Sequence, residues 1–220
     1  TAYRFGSGSA KDAFYISDSI TSVVFHLAGA GLSLAVIPVL AKIKQEQSAN
    51  QVKQYTWTLC VFFSIIATGL MILTLIFTAP IVKLFALGFS GERLALAIKL
   101  TRIGVPIIFF NFIYAIFESY NQSNERFFIP ASSCFFFNAP IIGYLVFFHD
   151  RMGLEGLVLS MVMGYGLRSL YLYMPIHSDR IVGYRIDLKS EYLKTTMGIM
   201  VLIMLTSMVN YINVIVDETL

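Results

Sequence analysis

The sequence predicts an all-α integral membrane protein, a polytopic bundle of about six transmembrane helices. Of its 220 residues, 57% are hydrophobic and only 13% are charged, which leaves too few polar side chains to cover a water-soluble globule. The apolar runs are continuous and do not alternate with polar residues, a pattern typical of spanning helices rather than of barrel strands. A membrane is therefore expected to be the solvent for most of the surface.

Composition and motifs also exclude several functions. The net charge of +3 is small and scattered, so we expect no nucleic-acid partner, which would need a clustered basic face. Cys60 and Cys134 lie in apolar runs without CxxC spacing and are interpreted as small buried thiols rather than a zinc site or a disulfide. No phosphate-binding loop, HExxH or GxSxG motif is present. The sequence therefore predicts neither an enzyme nor a cofactor.

The first two spans follow from the length that a membrane requires. A spanning helix needs about twenty mostly apolar residues, because the hydrocarbon core is about 30 Å thick and each helical residue rises about 1.5 Å. Residues 13–40 satisfy this test and are interrupted only by Asp18 and His26. Residues 55–82 contain no charge at all. We predict a spanning helix over each.

The third and fourth predicted spans are less regular than the first two. Residues 103–117 are only fifteen uncharged positions, but Arg102 and Glu118 can snorkel from the two ends and complete the span. Residues 127–148 form an uncharged run with Pro140 inside it. Because proline removes one backbone hydrogen bond, a bent helix is expected there.

Two further spans and two polar segments complete the predicted bundle. Residues 156–176 contain one charge, Arg168, and residues 195–216 contain none. Polar segments occupy 41–54 and 177–194, and the second is long enough for a short amphipathic helix on the membrane surface.

The basic residues predict an orientation. If the two polar segments and the turn at Arg126 face one side, eight cations lie there: Lys42, Lys44, Lys53, Arg126, Arg180, Arg185, Lys189 and Lys194. Five lie on the opposite side, leaving aside Lys99 and Arg102 near a helix start: Arg4, Lys11, Lys83, Arg93 and Arg151. The positive-inside rule assigns the first group to the cytoplasm.

Ionisable residues within spans are the candidates for a binding site, because a charge in hydrocarbon is costly unless it meets a partner or a watery cavity. Asp18 and His26 share one face of their predicted helix, and either line a cavity or pair with a neighbouring helix. Arg168 lies at mid-depth and could grip the oxygens of a phosphate bidentately. The alternative is a structural partnership with an acid such as Asp18 or Glu118.

Small residues in the segment GYG (164–166) have two interpretations. In membranes such residues usually allow two helices to approach closely. The alternative is a hinge for alternating access.

Five stretches carry a resemblance to a known family: FGSGSAKDAFYIS, AVIPVLAKIK, LFALGFSGERLALAIKLTRIGVP, ERFFIPASSCFFFNAPII and VNYINVIVDETL. They resemble, in order and in spacing, the characteristic segments of bacterial lipid II flippases of the MurJ/MviN type. The resemblance extends over almost the whole chain.

The resemblance implies the fold of the multidrug/oligosaccharidyl-lipid/polysaccharide exporter superfamily, in which two six-helix lobes surround a central cavity. Residues 1–194 would then form most of the first lobe, incomplete at its start and including a cytoplasmic surface segment at 177–194. Residues 195–220 would open the next part of a longer protein. We expect the parent protein to extend beyond both ends.

The resemblance also implies a function. The cargo would be the undecaprenyl-pyrophosphate-linked peptidoglycan precursor, lipid II, moved from the inner to the outer leaflet of the bacterial inner membrane by alternating access. The partners would be this lipid-linked glycan, membrane lipid and proteins of cell-wall synthesis. Residue by residue, the resemblance carries over to Asp12, Arg4, Arg102 and Arg126.

One departure from the family pattern affects the predicted cargo. The family has an arginine pair in its second helix, where this chain has Val24 and Phe25, and it has an acid where this chain has Gly29. Three alternatives therefore stay open: a flippase for another lipid-linked polysaccharide precursor, a cation-coupled exporter of the same superfamily, and a membrane scaffold that transports nothing.

Overall fold

The computed structural model describes residues 9–178 and 186–219, with the backbone alone at 9, 24–30, 49, 149–150, 178, 204 and 207–219. Within these residues the chain forms eight helices and no strand. The helices are α1 Ser9–Glu46, α2 Ala49–Ile76, α3 Thr78–Phe85, α4 Gly91–Gly104, α5 Pro106–Ser123, α6 Phe128–Phe147, α7 His149–Ser178 and α8 Glu191–Thr219. The predicted all-α class is confirmed.

Several of these helices are suited to a membrane. Four helical stretches of the described chain are long and apolar enough to span one: Asn50–Ile76, Gly91–Ser123, Phe128–Phe147 and Arg151–His177. They correspond to the second to fifth predicted spans. The first and last predicted spans lie in α1 and α8, which have 38 and 29 residues, so both are long enough to cross the hydrocarbon core.

Two predicted boundaries are wrong. The second span was expected to reach residue 82, but α2 ends at Ile76 and the short helix α3 follows after Phe77. The third span is much longer than residues 103–117, because α4 and α5 are separated only by Val105. The amide of Val105 still donates to the carbonyl of Thr101 at 2.9 Å, while Pro106 begins α5, where its missing N–H is not needed.

The helices pack around α1 and α5. Helix α1 packs against α2, α4, α5 and α8, and α7 packs against α4, α5 and α6. Lipid is as apolar as leucine, so this association depends on close packing and polar contacts rather than on burial from water. The centre of the largest buried cluster includes Leu40, Phe63, Phe112, Ile116 and Leu172, and the rings of Phe63 and Phe112 stack at 5.8 Å.

The tight contact between α6 and α7 depends on a glycine. A Cβ added to Gly164 would lie 2.5 Å from the carbonyl oxygen of Phe137, closer than any real contact. The predicted role of the GYG segment in close helix contact is therefore confirmed at Gly164.

Contacts at the two ends of the bundle agree with an up-and-down topology. At one end, Arg93 pairs with Asp12, and Lys99 pairs with Glu155 at 2.6 Å. At the other end, Lys44 donates to the carbonyl of Ser123 at 3.3 Å. This second end is the one predicted to be cytoplasmic.

The predicted surface helix over 177–194 is only partly described. Helix α7 continues to Ser178, residues 179–185 lie outside the described part of the chain, and 186–190 form a turn before α8 begins at Glu191. The amide of Asp187 donates to the hydroxyl of Thr58 at 3.2 Å, so this turn is attached to α2.

Candidate functional site

Arg168 lies on α7 and faces the interior of the lobe. Its Nε donates to the hydroxyl of Ser133 on α6 at 3.0 Å, and one Nη donates to the hydroxyl of Tyr114 on α5 at 2.5 Å. The guanidinium carbon also lies 3.8 Å from the centre of the Tyr114 ring, a cation–π geometry. Three helices therefore meet at this one side chain.

The network continues to an acid. The Tyr114 hydroxyl donates to Glu118 one turn along α5, at 2.7 Å. Tyr114 thus accepts a hydrogen bond from a cation and donates one to a carboxylate, which lowers the cost of holding both charges at membrane depth. Two acids were predicted as partners of Arg168. Of these, Glu118 is linked to Arg168 through the hydroxyl of Tyr114. These bonds use two of the five N–H donors of the guanidinium.

Asp18 lies apart from this network in a narrow cavity between α1, α4, α5 and α7. The cavity has a volume of about 10 Å³ and is lined by Ser17, Thr21, Val158 and neighbouring residues. That volume accommodates about one water molecule, so it is far too small for a lipid head group. The Asp18 carboxylate forms no salt bridge with any residue of the described chain.

Tyr165 on α7 lies between the Asp18 cavity and the Arg168 network. Its side chain lies near Asn111 and within electrostatic reach of both Asp18 and Arg168. Helices α1, α5 and α7 therefore each place polar side chains in the interior of the lobe, although no hydrogen bond among the described residues links Asp18 to Arg168. Tyr114 and Tyr165 are not predicted from the sequence, because tyrosines at helical spacing give no signal that distinguishes a hydrogen-bonding role from packing.

The remaining candidates lie elsewhere. Asp12 is at the predicted outer end, where it pairs with Arg93, whose guanidinium carbon stacks 3.9 Å from the ring centre of Phe89. Arg102 is exposed on α4, and Arg126 is partly exposed in the turn after α5. These three do not share a pocket with Arg168.

Two candidates cannot be placed. Arg4 lies outside the described residues, and for His26 the backbone in α1 is described but not the side chain. The same holds for Val24 and Phe25.

One face of α1 is not covered by the other described helices. Leu32, Val36 and Leu40 are fully buried, whereas Leu34 is 61% exposed. Exposed positions recur along the uncovered side of α1: Tyr15, Ser19, Val23, Leu34 and Pro38. Between Lys11 and Lys42, the described side chains of this face contain no cation.

The first turns of α8 meet α1 and α2 at the predicted cytoplasmic end. The Tyr55 hydroxyl hydrogen-bonds Thr196 and donates to the carbonyl of Tyr192 at 3.1 Å. Gln47 donates to the Tyr192 hydroxyl at 3.0 Å. The helix predicted to lead out of the first lobe is thus joined to it by polar contacts.

Comparison with known families gives a match along the whole chain. The model of the family described as lipid II flippase MurJ matches residues 1–220. The chain belongs to the lipid II flippase MurJ family. This confirms the resemblance inferred from the five sequence segments.

Individual members of the MurJ family are similar over most of this chain. A probable lipid II flippase MurJ of Buchnera aphidicola subsp. Schizaphis graminum is 29% identical over 179 residues, which are 79% of this chain and 35% of that protein. The lipid II flippase MurJ of Thermosipho africanus is 30% identical over 176 residues, 80% of this chain and 35% of that protein. The chain therefore spans about a third of the length of these relatives.

A solved MurJ structure agrees with the fold. The structure of lipid II flippase MurJ in an inward closed conformation superposes with a TM-score of 0.72 at 27% identity, covering 94% of this chain and 44% of that one. The bundle described above is therefore a MurJ-type arrangement of helices. The boundary at residue 194 and the roles of individual candidate residues stay predictions.

Proposed function

We propose that a full-length protein containing this chain moves lipid II from the inner to the outer leaflet of the bacterial inner membrane for cell-wall synthesis. The observation that carries the proposal is the match of the MurJ family model to residues 1–220. The family is one of lipid II flippases, and the relatives found are named as such. Four apolar helices long enough to span a membrane support the multi-pass location.

The structure offers a surface for such a role. The uncovered face of α1 is the surface that a second lobe could complete into a cavity, and α8 packs against α1. Asp18, His26, Arg168, Arg102 and Asp12 stay the proposed substrate-binding or cavity candidates, and Asp18 would meet a head group only if its narrow cavity widened during transport. For Arg168, the hydrogen bonds to Ser133 and Tyr114 favour a role in joining three helices, while its other N–H groups could still meet an anion.

The test is genetic rescue. The full-length protein is expressed in a bacterium depleted of its own lipid II flippase, and the exposure of lipid II on the outer leaflet is measured. We expect rescue, because the family match is continuous. A well-inserted protein that gives no rescue would overturn lipid II as the cargo.

A second candidate cargo is favoured by one observation. Val24 and Phe25 occupy the positions of the family's arginine pair, and the described uncovered face of α1 lacks a cation between Lys11 and Lys42. A pyrophosphate needs cationic partners, so a flippase for another lipid-linked polysaccharide precursor is the alternative. Replacing Val24 and Phe25 by arginine discriminates between the two: improved lipid II rescue would indicate that the natural cargo differs.

Two further alternatives are decided when dye extrusion is measured beside lipid II exposure. A cation-coupled exporter would extrude dyes without exposing lipid II, and replacement of the intramembrane Asp18 by asparagine would abolish that extrusion. A scaffold would restore neither activity.

A further inference from the structure

Two apolar grooves run along the outer surface of the lobe and share one end. The first, with a volume of about 650 Å³, lies between α2 and α5. The second, of about 440 Å³, lies between α5 and α7. Trp57, Ile113 and Phe117 line both of them. We call the pair the forked groove, with an α2 arm and an α7 arm on either side of the α5 side chains Ile113 and Phe117.

The arms lie within the spanning helices. The α2 arm extends from Trp57 to Ile72, which is about 22 Å at about 1.5 Å per residue. The α7 arm follows α5 from Phe117 to Phe109, which is about 12 Å. Half of a bilayer's hydrocarbon core is about 15 Å thick, so the α7 arm fits within one leaflet, whereas the α2 arm begins in that leaflet and reaches past the bilayer midplane.

The shared end of the forked groove is aromatic. The rings of Trp57 and Tyr173 lie 5.9 Å apart, and those of Phe117 and Tyr173 lie 5.6 Å apart. His177, one turn further along α7, approaches Tyr173 to 5.7 Å. Tryptophan and tyrosine accumulate where lipid head groups meet hydrocarbon. This end also lies toward the end of the bundle that is predicted to be cytoplasmic.

We propose that the forked groove binds one glycerophospholipid of the cytoplasmic leaflet, with an acyl chain in each arm and the glycerol beside Trp57 and Tyr173. Two arms that diverge from one aromatic end match two chains that diverge from one glycerol. A single isoprenoid chain would occupy one arm and leave the other empty. The lining is apolar apart from small hydroxyl side chains such as Ser64, Thr68 and Ser169, as a hydrocarbon chain requires. This site goes beyond cargo transport, and its test does not depend on transport.

Gly69 provides a variant that fills the α2 arm without disturbing the helix. A Cβ added to Gly69 meets nothing within 4 Å, so the side chain of Gly69→Leu enters open space in the groove. Leucine is also a better helix former than glycine. Ala139→Leu is the matched control, because Ala139 is exposed on α6 and lies outside both arms.

The first measurement is native mass spectrometry of the full-length protein purified from bacterial membranes. We expect one phospholipid to be retained by the unaltered protein and by Ala139→Leu, and to be lost from Gly69→Leu. Equal retention by the two variants, or no retained phospholipid, would overturn the proposal. Displacement of the phospholipid by added undecaprenyl phosphate would overturn it in favour of an isoprenoid chain.

The second measurement uses the fact that Trp57 is the one tryptophan of this chain. In a full-length variant that retains only this tryptophan, reconstituted into phosphatidylglycerol vesicles, lipids brominated on the acyl chains should quench the Trp57 fluorescence. Gly69→Leu should reduce the quenching, while Ala139→Leu should not. An unquenched Trp57 would mean that another part of the protein covers the groove, and the proposal would fail.

Discussion

At the scale of single residues, the charged side chains held at membrane depth need the most stabilisation from their neighbours. Arg168 is stabilised there by Ser133, by the hydroxyl and ring of Tyr114 and, through Tyr114, by Glu118. Polar contacts between membrane helices are individually modest, because a partly separated helix also finds partners. Their effect here comes from one cation joining α5, α6 and α7.

A double-mutant cycle measures this network. Tyr114→Phe should lower the stability of the full-length protein by about 1 kcal/mol, because it removes both hydrogen bonds of the hydroxyl. Arg168→Met should cost more, because it leaves Glu118 without its cation, and Arg168→Met combined with Glu118→Gln should cost less than the sum of the single changes. Thermal unfolding in detergent gives these values.

Tyr15→Phe is the control for the cycle, because Tyr15 is half exposed on the uncovered face of α1. Strict additivity of the Arg168 and Glu118 changes would show that the two charges do not interact.

At the scale of helices, the sequence predicted that each spanning helix exists more accurately than where it begins and ends. The predicted third span of fifteen residues is part of the 33-residue stretch Gly91–Ser123. The charges that suggested an early boundary, such as Arg102, lie on an exposed side of α4, so the helix continues past them. The contact of α6 with α7, by contrast, follows from a feature visible in the sequence, the small residues at 164–166.

Replacing Gly164 tests that contact. Gly164→Ala should destabilise the protein by about 1–3 kcal/mol, because the new Cβ would meet the Phe137 carbonyl and force α6 and α7 apart. The same change at Gly143, where a Cβ meets nothing within 4 Å, should be neutral or slightly stabilising. Thermal unfolding of both variants is the measurement, and equal stability of the two would contradict the packing described.

At the scale of the whole molecule, the lobe has two chemically different ends and one unfilled side. One end is joined by salt bridges such as Lys99 with Glu155, and the other by hydrogen bonds around Tyr55 and Tyr192. The uncovered face of α1 indicates where the rest of a full-length relative would adjoin. Such a relative is longer than this chain, which covers 44% of the solved MurJ chain.

The orientation of the lobe is a prediction at this scale. With Cys60 and Cys134 first replaced by alanine, Ser48→Cys in the turn between α1 and α2 should be shielded from a membrane-impermeant maleimide in intact cells and react in inverted vesicles. Leu87→Cys, at a position 86% exposed after α3, should react in intact cells. Labelling in the reverse pattern would invert the topology.

The sequence by itself determined the membrane class, the approximate spans, the predicted orientation and the family. The class, the spans and the orientation follow from local composition, because hydrocarbon accepts long apolar helices and excludes most charges, whereas the family follows from five characteristic segments. The tertiary structure decided which polar side chains meet. Arg168 contacts Ser133 and Tyr114, 35 and 54 residues away, and the forked groove combines three helices. Such contacts depend on how each helix is rotated and displaced against its neighbours, which is set by packing across the whole lobe rather than by any one segment.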